Sequence, residues 1–219
     1  MAKKFFFIIF FSILLFAANA FAQDKKPNPP ATDAKTVAVS YGIVVDNSGS
    51  YRMILDSVIE TVHNIVEENK ADDETFLVRF VDSSKMDLTQ DFTASKDQIH
   101  EAADNLFVEG GLTAIYDAVN FSAKHLAENT KQDANRRRIL ILITDGDDRA
   151  SKSKIEDVLK FLNDEKIRVF TVGLADGKVF SKNLNRLAKE TGGKSFEPKK
   201  RAEIASAVKE LAAAMRAAQ

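Results

Sequence analysis

Residues 138–144 read RILILIT, an unbroken apolar run that ends at a threonine. Residues 167–174 read IRVFTVGL and form a second run of the same kind. Apolar runs without polar alternation are typical of strands that are covered on both faces of a parallel sheet. The segment between them, from Ser151 or Ser153 to Lys166, is predicted to be helical, so the two strands are expected to pair in parallel through a crossover helix.

The same alternation of strands and helices extends over most of the chain. Further strands are predicted at 37–46, 74–82, 85–92 and 194–197, and further helices at 51–69, 95–106, 113–128, 180–191 and 201–217. This order predicts an α/β fold with a doubly wound, mostly parallel central sheet and helices on both faces. The segment 85–92 is predicted to pair antiparallel with its predecessor, which makes the sheet mixed.

The first 22 residues have the layout of a secretory signal peptide. A positively charged start precedes an apolar run from Phe5 to Ala18, which is shorter than the roughly 20 residues that a membrane-spanning helix needs. Cleavage is predicted near Ala22, with Ala18-Asn19-Ala20 as a second candidate and an uncleaved anchor as the alternative. We therefore expect a periplasmic or extracellular protein that meets the membrane only transiently, through this segment.

Residues 23–35 read QDKKPNPPATDAK and hold three of the four prolines of the chain, so they are predicted to form an extended linker. The folded domain is then expected to occupy residues 36–217. The apolar side of its last helix is expected to face the core first and a partner second.

The composition of the 219 residues excludes several kinds of site. The chain contains no cysteine, three widely spaced histidines and a net charge of −1. Disulfides and metal–thiolate centres are therefore impossible, and a nucleic-acid partner is not expected.

Oxygen-bearing side chains follow the two strands that are expected to lie at the centre of the sheet. The first strand ends in Asp46-Asn47-Ser48-Gly49-Ser50, and the strand 138–144 ends in Thr144-Asp145-Gly146-Asp147-Asp148. In sheets of this type, ligands bind beyond the carboxyl ends of the strands. Short oxygen ligands in tight loops are what hard divalent cations require, and Thr113 adds a hydroxyl in a third loop.

These segments carry a resemblance to a known family. VVDNSGS at 44–50, GGLTAIYDAV at 110–119 and LITDGDD at 142–148 resemble the von Willebrand factor type A domain, over about residues 37–215. The resemblance implies a metal-ion-dependent adhesion site formed by Asp46, Ser48, Ser50, Thr113 and Asp145. It implies that Ser48 and Ser50 ligate Mg²⁺ or Mn²⁺ directly, that Thr113 does so directly or through water, and that the two carboxylates act through water or by holding the ligands.

Several neighbouring residues have more than one interpretation. Tyr51 is expected to pack at the start of a helix rather than to cover the site, and Asp147 and Asp148 are expected to belong to a solvated loop. Asp117 is expected to be a surface carboxylate or one that supports the site. The basic run Arg136-Arg137-Arg138 is expected to be solvated, with an acidic partner or membrane headgroups as the alternative.

Three functions remain open at this stage. The first is metal-dependent binding of a protein partner through an exposed Asp or Glu carboxylate, which we favour. The second is a structural subunit that binds partners through its helices without metal. The third is a Mg²⁺-dependent hydrolase, against which the absence of phosphate-binding and nucleophile-elbow motifs argues, so the protein is not expected to be an enzyme.

Overall fold

The computed structural model of the protein describes residues 37–131, 133 and 135–217. The predicted signal peptide (1–22) and linker (23–35) lie outside the described residues and stay predictions. None of the helices in the described part of the chain has the length and hydrophobicity that crossing a membrane requires.

The described residues form one six-stranded sheet in the order β3-β2-β1-β4-β5-β6. Its strands are β1 (Val39–Asp46), β2 (Glu74–Phe80), β3 (Met86–Thr93), β4 (Arg137–Thr144), β5 (Ile167–Gly173) and β6 (Ser195–Phe196). Every neighbouring pair is parallel except β2 and β3, which are antiparallel. The predicted fold class and its single antiparallel edge strand are confirmed.

Six helices cover the two faces of this sheet. They are α1 (Leu55–Glu67), α2 (Lys96–Asp104), α3 (Ile115–Asn129), α4 (Ile155–Asp164), α5 (Ser181–Glu190) and α6 (Ile204–Arg216). Buried side chains of α1, α2 and α6 form one half of the core, and those of α3, α4 and α5 form the other half. Each face of the sheet is thus covered by three helices, which confirms the expectation of helices on both faces.

Strand β4 explains why an unbroken apolar run was needed at the centre. Ile139, Ile141 and Ile143 face the first half of the core, and Leu140 and Leu142 face the second half. All five side chains are fully buried. Because successive side chains of a strand point to opposite faces, a strand with helices on both sides must be apolar at every position.

The last helix uses its apolar side inside the molecule. Ile204, Val208, Leu211 and Met215 of α6 are all buried in the first half of the core. The prediction that this side faces the core is confirmed, which removes the feature that had suggested partner binding through α6.

The strand order reverses between β1 and β4. From β1 the chain moves outward through β2 to β3, and it then returns to the other side of β1 to form β4, β5 and β6. The loops that follow β1 and β4 therefore depart in opposite directions and leave a crevice between them at the carboxyl edge of the sheet.

Candidate metal centre

Asp46 ends β1 at this crevice, and its carboxylate is fully buried. Its Oδ2 accepts a hydrogen bond of 2.7 Å from the hydroxyl of Thr144, the last residue of β4. Its Oδ1 accepts a hydrogen bond of 2.9 Å from the backbone amide of Ser48. Asp46 thus joins the ends of the two central strands and turns the following loop back over them.

The surroundings of Asp46 have opposing effects on the ionisation of its carboxyl group. Burial raises the pKa of the Asp46 carboxyl to about 6, although the hydrogen bonds from Thr144 and Ser48 act in the opposite direction, and the charge of Asp145 adds to the rise. A cation nearby would favour the ionised form of such a carboxyl. The electrostatics of the crevice therefore suit a bound cation.

The two serines of the D-x-S-x-S pattern face each other. The hydroxyl oxygens of Ser48 and Ser50 lie 3.1 Å apart, and residues 49–51 form a single 3-10 turn that places them there. The loop is anchored from below, since the amide of Asn47 donates to the carbonyl of Phe80 and the carbonyl of Asn47 accepts from the amide of Glu109. Both serines are thus presented by a fixed backbone.

Thr113 reaches the crevice from the loop between α2 and α3. It is buried, and its carbonyl accepts hydrogen bonds from the amides of Arg149 and Ala150. Gly111 allows this loop to lie close to β2, because a Cβ at that position would be 2.4 Å from a methyl carbon of Val81. The third loop is therefore fixed against both neighbours.

Asp145 approaches from the end of β4. Its Oδ1 accepts a hydrogen bond of 3.0 Å from the amide of Asp147, and its carbonyl accepts one of 2.7 Å from the amide of Phe180. The next residue, Gly146, has a φ of +86°, and a Cβ there would be 2.6 Å from the carbonyl oxygen of Phe180. Only glycine fits this turn without strain.

The three loops enclose one open cleft with a volume of about 140 Å³. Four of the five predicted ligands line it, and Asp46 lies beneath it. The lining residues are Ser48, Gly49, Ser50, Gly111, Leu112, Thr113, Asp145, Asp147 and Arg149.

The donor set of this cleft fits a hard divalent cation. Three hydroxyls and two carboxylates are oxygen donors, which Mg²⁺ and Mn²⁺ prefer. Within the described residues there is no cluster of three or more His, Cys, Asp or Glu side chains that could hold a metal ion. A cation ligated directly by neutral hydroxyls would remain electrophilic towards an anionic oxygen from outside.

Tyr51 is fully buried below the serine loop, and its hydroxyl donates to the carbonyl of Leu174 at 3.0 Å. Its predicted packing role is confirmed.

The expectation that Asp147 and Asp148 belong to a solvated loop is wrong for Asp148. Both are half-buried, and Asp147 pairs with Arg149 at 2.5 Å. The Oδ1 of Asp148 accepts hydrogen bonds from the amide of Ile115 at 2.7 Å and from the hydroxyl of Ser151 at 2.5 Å. Asp148 therefore accepts a hydrogen bond from an amide in the first turn of α3. The N-cap residue of α3 makes no side-chain capping hydrogen bond of its own.

Asp117 supports the cleft from the side of α3. Its carboxylate accepts hydrogen bonds from the amides of Lys152 and Ser153 and from the hydroxyl of Ser83. Burial alone would raise its pKa, but these hydrogen bonds outweigh burial and lower the pKa of Asp117 to about 2.

Sequence analysis placed Thr144 among the oxygen-bearing side chains at the end of β4 but gave it no role, whereas in the structure its hydroxyl donates to Asp46. The available signal was a hydroxyl residue that interrupts an apolar strand directly before an acidic loop.

A sequence profile of the von Willebrand factor type A domain matches residues 42–210. The chain belongs to the von Willebrand factor type A (VWA) domain family. No curated protein sequence matches it significantly.

Solved structures agree with the VWA fold. A von Willebrand factor type A protein from Catenulispora acidiphila is 17% identical over 82% of this chain and 43% of its own, with a TM-score of 0.69. An aerotolerance-related membrane protein from Bacteroides fragilis is 16% identical over 81% of this chain and 98% of its own, with a TM-score of 0.66. The domain of the type V pili tip protein Mfa5 from Porphyromonas gingivalis is 14% identical over 82% and 95%, with a TM-score of 0.63. At these identities the likeness establishes the fold alone.

Proposed function

We propose that this VWA domain is an exported, metal-dependent protein-binding module. Its cleft holds Mg²⁺ or Mn²⁺ and captures an Asp or Glu carboxylate of a protein partner. The observation that carries the proposal is that four of the five predicted ligands line one open cleft, while the fifth, Asp46, is buried beneath it.

The side chains divide into two groups. Ser48, Ser50 and Thr113 offer neutral hydroxyl oxygens, whereas Asp46 and Asp145 supply negative charge. Asp46 also holds the backbone of the serine loop, because it accepts from the amide of Ser48. A bound Mg²⁺ would keep a coordination site open to an oxygen from outside the domain. Because the hydroxyls that would ligate the cation directly are neutral, an anionic oxygen is the favoured external ligand.

The rim of the cleft offers apolar contact to a protein partner. Leu112 is 57% exposed there, and on the opposite loop Arg149 forms an ion pair with Asp147. Two structural neighbours are described as a membrane protein and a pilus tip protein, which supports an exported location.

Neither alternative function gains support from the described residues. The apolar side of α6 is buried, so metal-independent binding through that helix lacks a surface. None of the three histidines lines the cleft: His63 and His125 contact Asp104 and Asp91, and His100 stacks on His63. A hydrolase would lack a nearby histidine base.

Capture of secreted proteins on the immobilised protein tests the proposal. We expect at least one protein to bind in Mg²⁺, to be released by a chelator, and to be lost with the Ser48→Ala/Ser50→Ala variant. Ser57→Ala, a substitution on α1 outside the cleft, is the matched control and should capture normally. Capture that survives both chelation and the double substitution would reject the proposal in favour of a metal-independent surface.

A further inference from the structure

A second polar region lies at the amino edge of the sheet, where β4 and β5 begin. A cavity of about 360 Å³ is lined there by three consecutive arginines and by Lys166 and Arg168, together with Asn163, Ile167 and Thr191. We call these five cationic residues, Arg136, Arg137, Arg138, Lys166 and Arg168, the basic groove. Of the described residues, no carboxylate lines this cavity.

The register of the sheet brings the basic groove together. Arg138 of β4 pairs with Ile167 of β5, so the arginine run lies beside Lys166 and Arg168. A neighbouring cavity of about 530 Å³ shares Arg136, Arg138 and Lys166, but it also contains three acidic residues. The concentration of positive charge is therefore greatest in the smaller cavity.

Two of the arginines are held by carbonyl oxygens rather than carboxylates. Arg137 donates to the carbonyls of Met215 and Ala217 at 2.9 and 2.6 Å, and Arg168 donates to those of Ala214 and Gly192 at 3.2 and 2.9 Å. These contacts position the guanidinium groups without neutralising them. Burial, and then the charge of Arg137, lower the pKa of the Arg168 guanidinium.

The side chain of Arg136 is largely buried, with 7% of it exposed. Its nearest carboxylate oxygen, on Glu74, is 3.9 Å away, and its Nε is buried without a partner among the described residues. Arg138 is the one member with a close carboxylate, Glu165 at 3.1 Å. Elsewhere in the described chain, no carboxylate oxygen lies within 4 Å of Arg137, Lys166 or Arg168.

We propose that the basic groove binds a phosphate group, either free in solution or on a lipid headgroup. Guanidinium N–H groups match the geometry of phosphate oxygens, and a multiply charged oxyanion would relieve the repulsion among closely spaced cations. The cavity has room for a phosphate or diphosphate. The net charge of −1 over the whole chain disfavours a long polyanion such as nucleic acid. This site is independent of the carboxyl-edge cleft and of its proposed function.

Titration of the purified protein with pyrophosphate and with inorganic phosphate at low salt tests the soluble source. Sedimentation with phosphatidylglycerol vesicles, beside phosphatidylcholine vesicles, tests the lipid source. Each is measured for the wild type, for Lys166→Gln, and for Arg138→Gln/Lys166→Gln. Lys182→Gln, an exposed lysine on α5 outside the basic groove, is the matched control.

We expect saturable binding in at least one arm, weakened about tenfold by each lost charge and unchanged in Lys182→Gln. Pyrophosphate binding identifies a soluble phosphate, whereas vesicle binding alone identifies a lipid headgroup. Lys166→Gln changes one exposed side chain, and circular dichroism of the variant checks that a loss of affinity does not come from misfolding. Absence of binding in both arms, or affinities that the double substitution leaves unchanged, would overturn the proposal.

Discussion

At the carboxyl edge of the sheet the polar groups come from three loops, whereas at the amino edge they come from the first residues of strands. The loops carry hydroxyls and carboxylates, and their backbones are fixed by contacts between distant segments, such as Arg149 to Thr113. The pairing of β4 with β5 brings the residues of the basic groove together, and carbonyls at the end of α6 hold Arg137 and Arg168. We infer that the carboxyl-edge cleft depends on contacts among three loops, while the basic groove depends on one strand pair and its contacts with the end of α6.

The largest expected effect comes from Gly146, which sets the path of the β4–α4 loop. Gly146→Ala forces a Cβ against the Phe180 carbonyl at a φ of +86°, so we expect a loss of about 3 kcal/mol in the free energy of unfolding. Urea denaturation measures this loss. Gly110→Ala, where a Cβ would meet nothing within 4 Å, should change stability little. Equal losses of unfolding free energy in the two variants would contradict the claim that the β4–α4 loop is tightly fixed at Gly146.

The next effect comes from Asp148, which joins two loops of the same edge. Asp148→Ala leaves the amide of Ile115 and the hydroxyl of Ser151 without their acceptor, and it should cost about 1–2 kcal/mol. Asp148→Asn keeps an acceptor oxygen and should cost less. Thermal unfolding of the two variants distinguishes them, and an Asp148→Ala protein as stable as the wild type would return this residue to the solvated loop of the sequence-based expectation.

Asp117 should give stability a pH dependence. Its pKa falls from 3.8 in the unfolded chain to about 2 in the fold, so its contribution is present above about pH 4 and is lost as the pH falls through about 2. After allowance for solvent screening, this contribution is about 1 kcal/mol.

Urea denaturation between pH 5 and pH 2 measures the dependence. The Asp117→Asn variant should lose less stability over this range than the wild type does. The same slope in both proteins would contradict the assigned role.

The smallest effect concerns the amino edge. Arg137→Gln removes a charged donor from the last carbonyls of α6, where a cation is favourable, and should cost about 0.5–1 kcal/mol. Lys182→Gln should be neutral in the same thermal melts. A loss as large as that of Gly146→Ala would show that the basic groove is as dependent on the whole fold as the cleft is.

The strands, the helices and the sheet class could be predicted because hydrophobic periodicity is local. Helix starts were less accurate: α1 begins at Leu55 rather than Tyr51, since residues 49–51 form a 3-10 turn, and α4 begins at Ile155. Ser151 lies before α4, and its hydroxyl accepts from the amide of Tyr116 in α3. Such contacts join residues about 35 positions apart and leave no periodic signal.

The difference between local patterns and long-range contacts also explains which parts of the candidate sites could be predicted. The motifs named five candidate ligands, and the strand order explains why four of them share a cleft. The roles of Asp148 and Thr144 depend on partners in other elements, Ile115 and Asp46. Likewise, the run 136–138 was visible in the sequence, but its meeting with Lys166 and Arg168 required the register of β4 and β5.

Calorimetric titration with Mg²⁺ and Mn²⁺ tests the central claim most directly. The wild type should bind either cation saturably at one site, and Ser48→Ala should weaken binding at least about tenfold because a direct hydroxyl ligand is lost. Ser57→Ala should bind as the wild type does, and circular dichroism should show that both variants are folded. Binding that is equal in all three proteins, or absent from the folded wild type, would contradict a metal centre at the carboxyl edge.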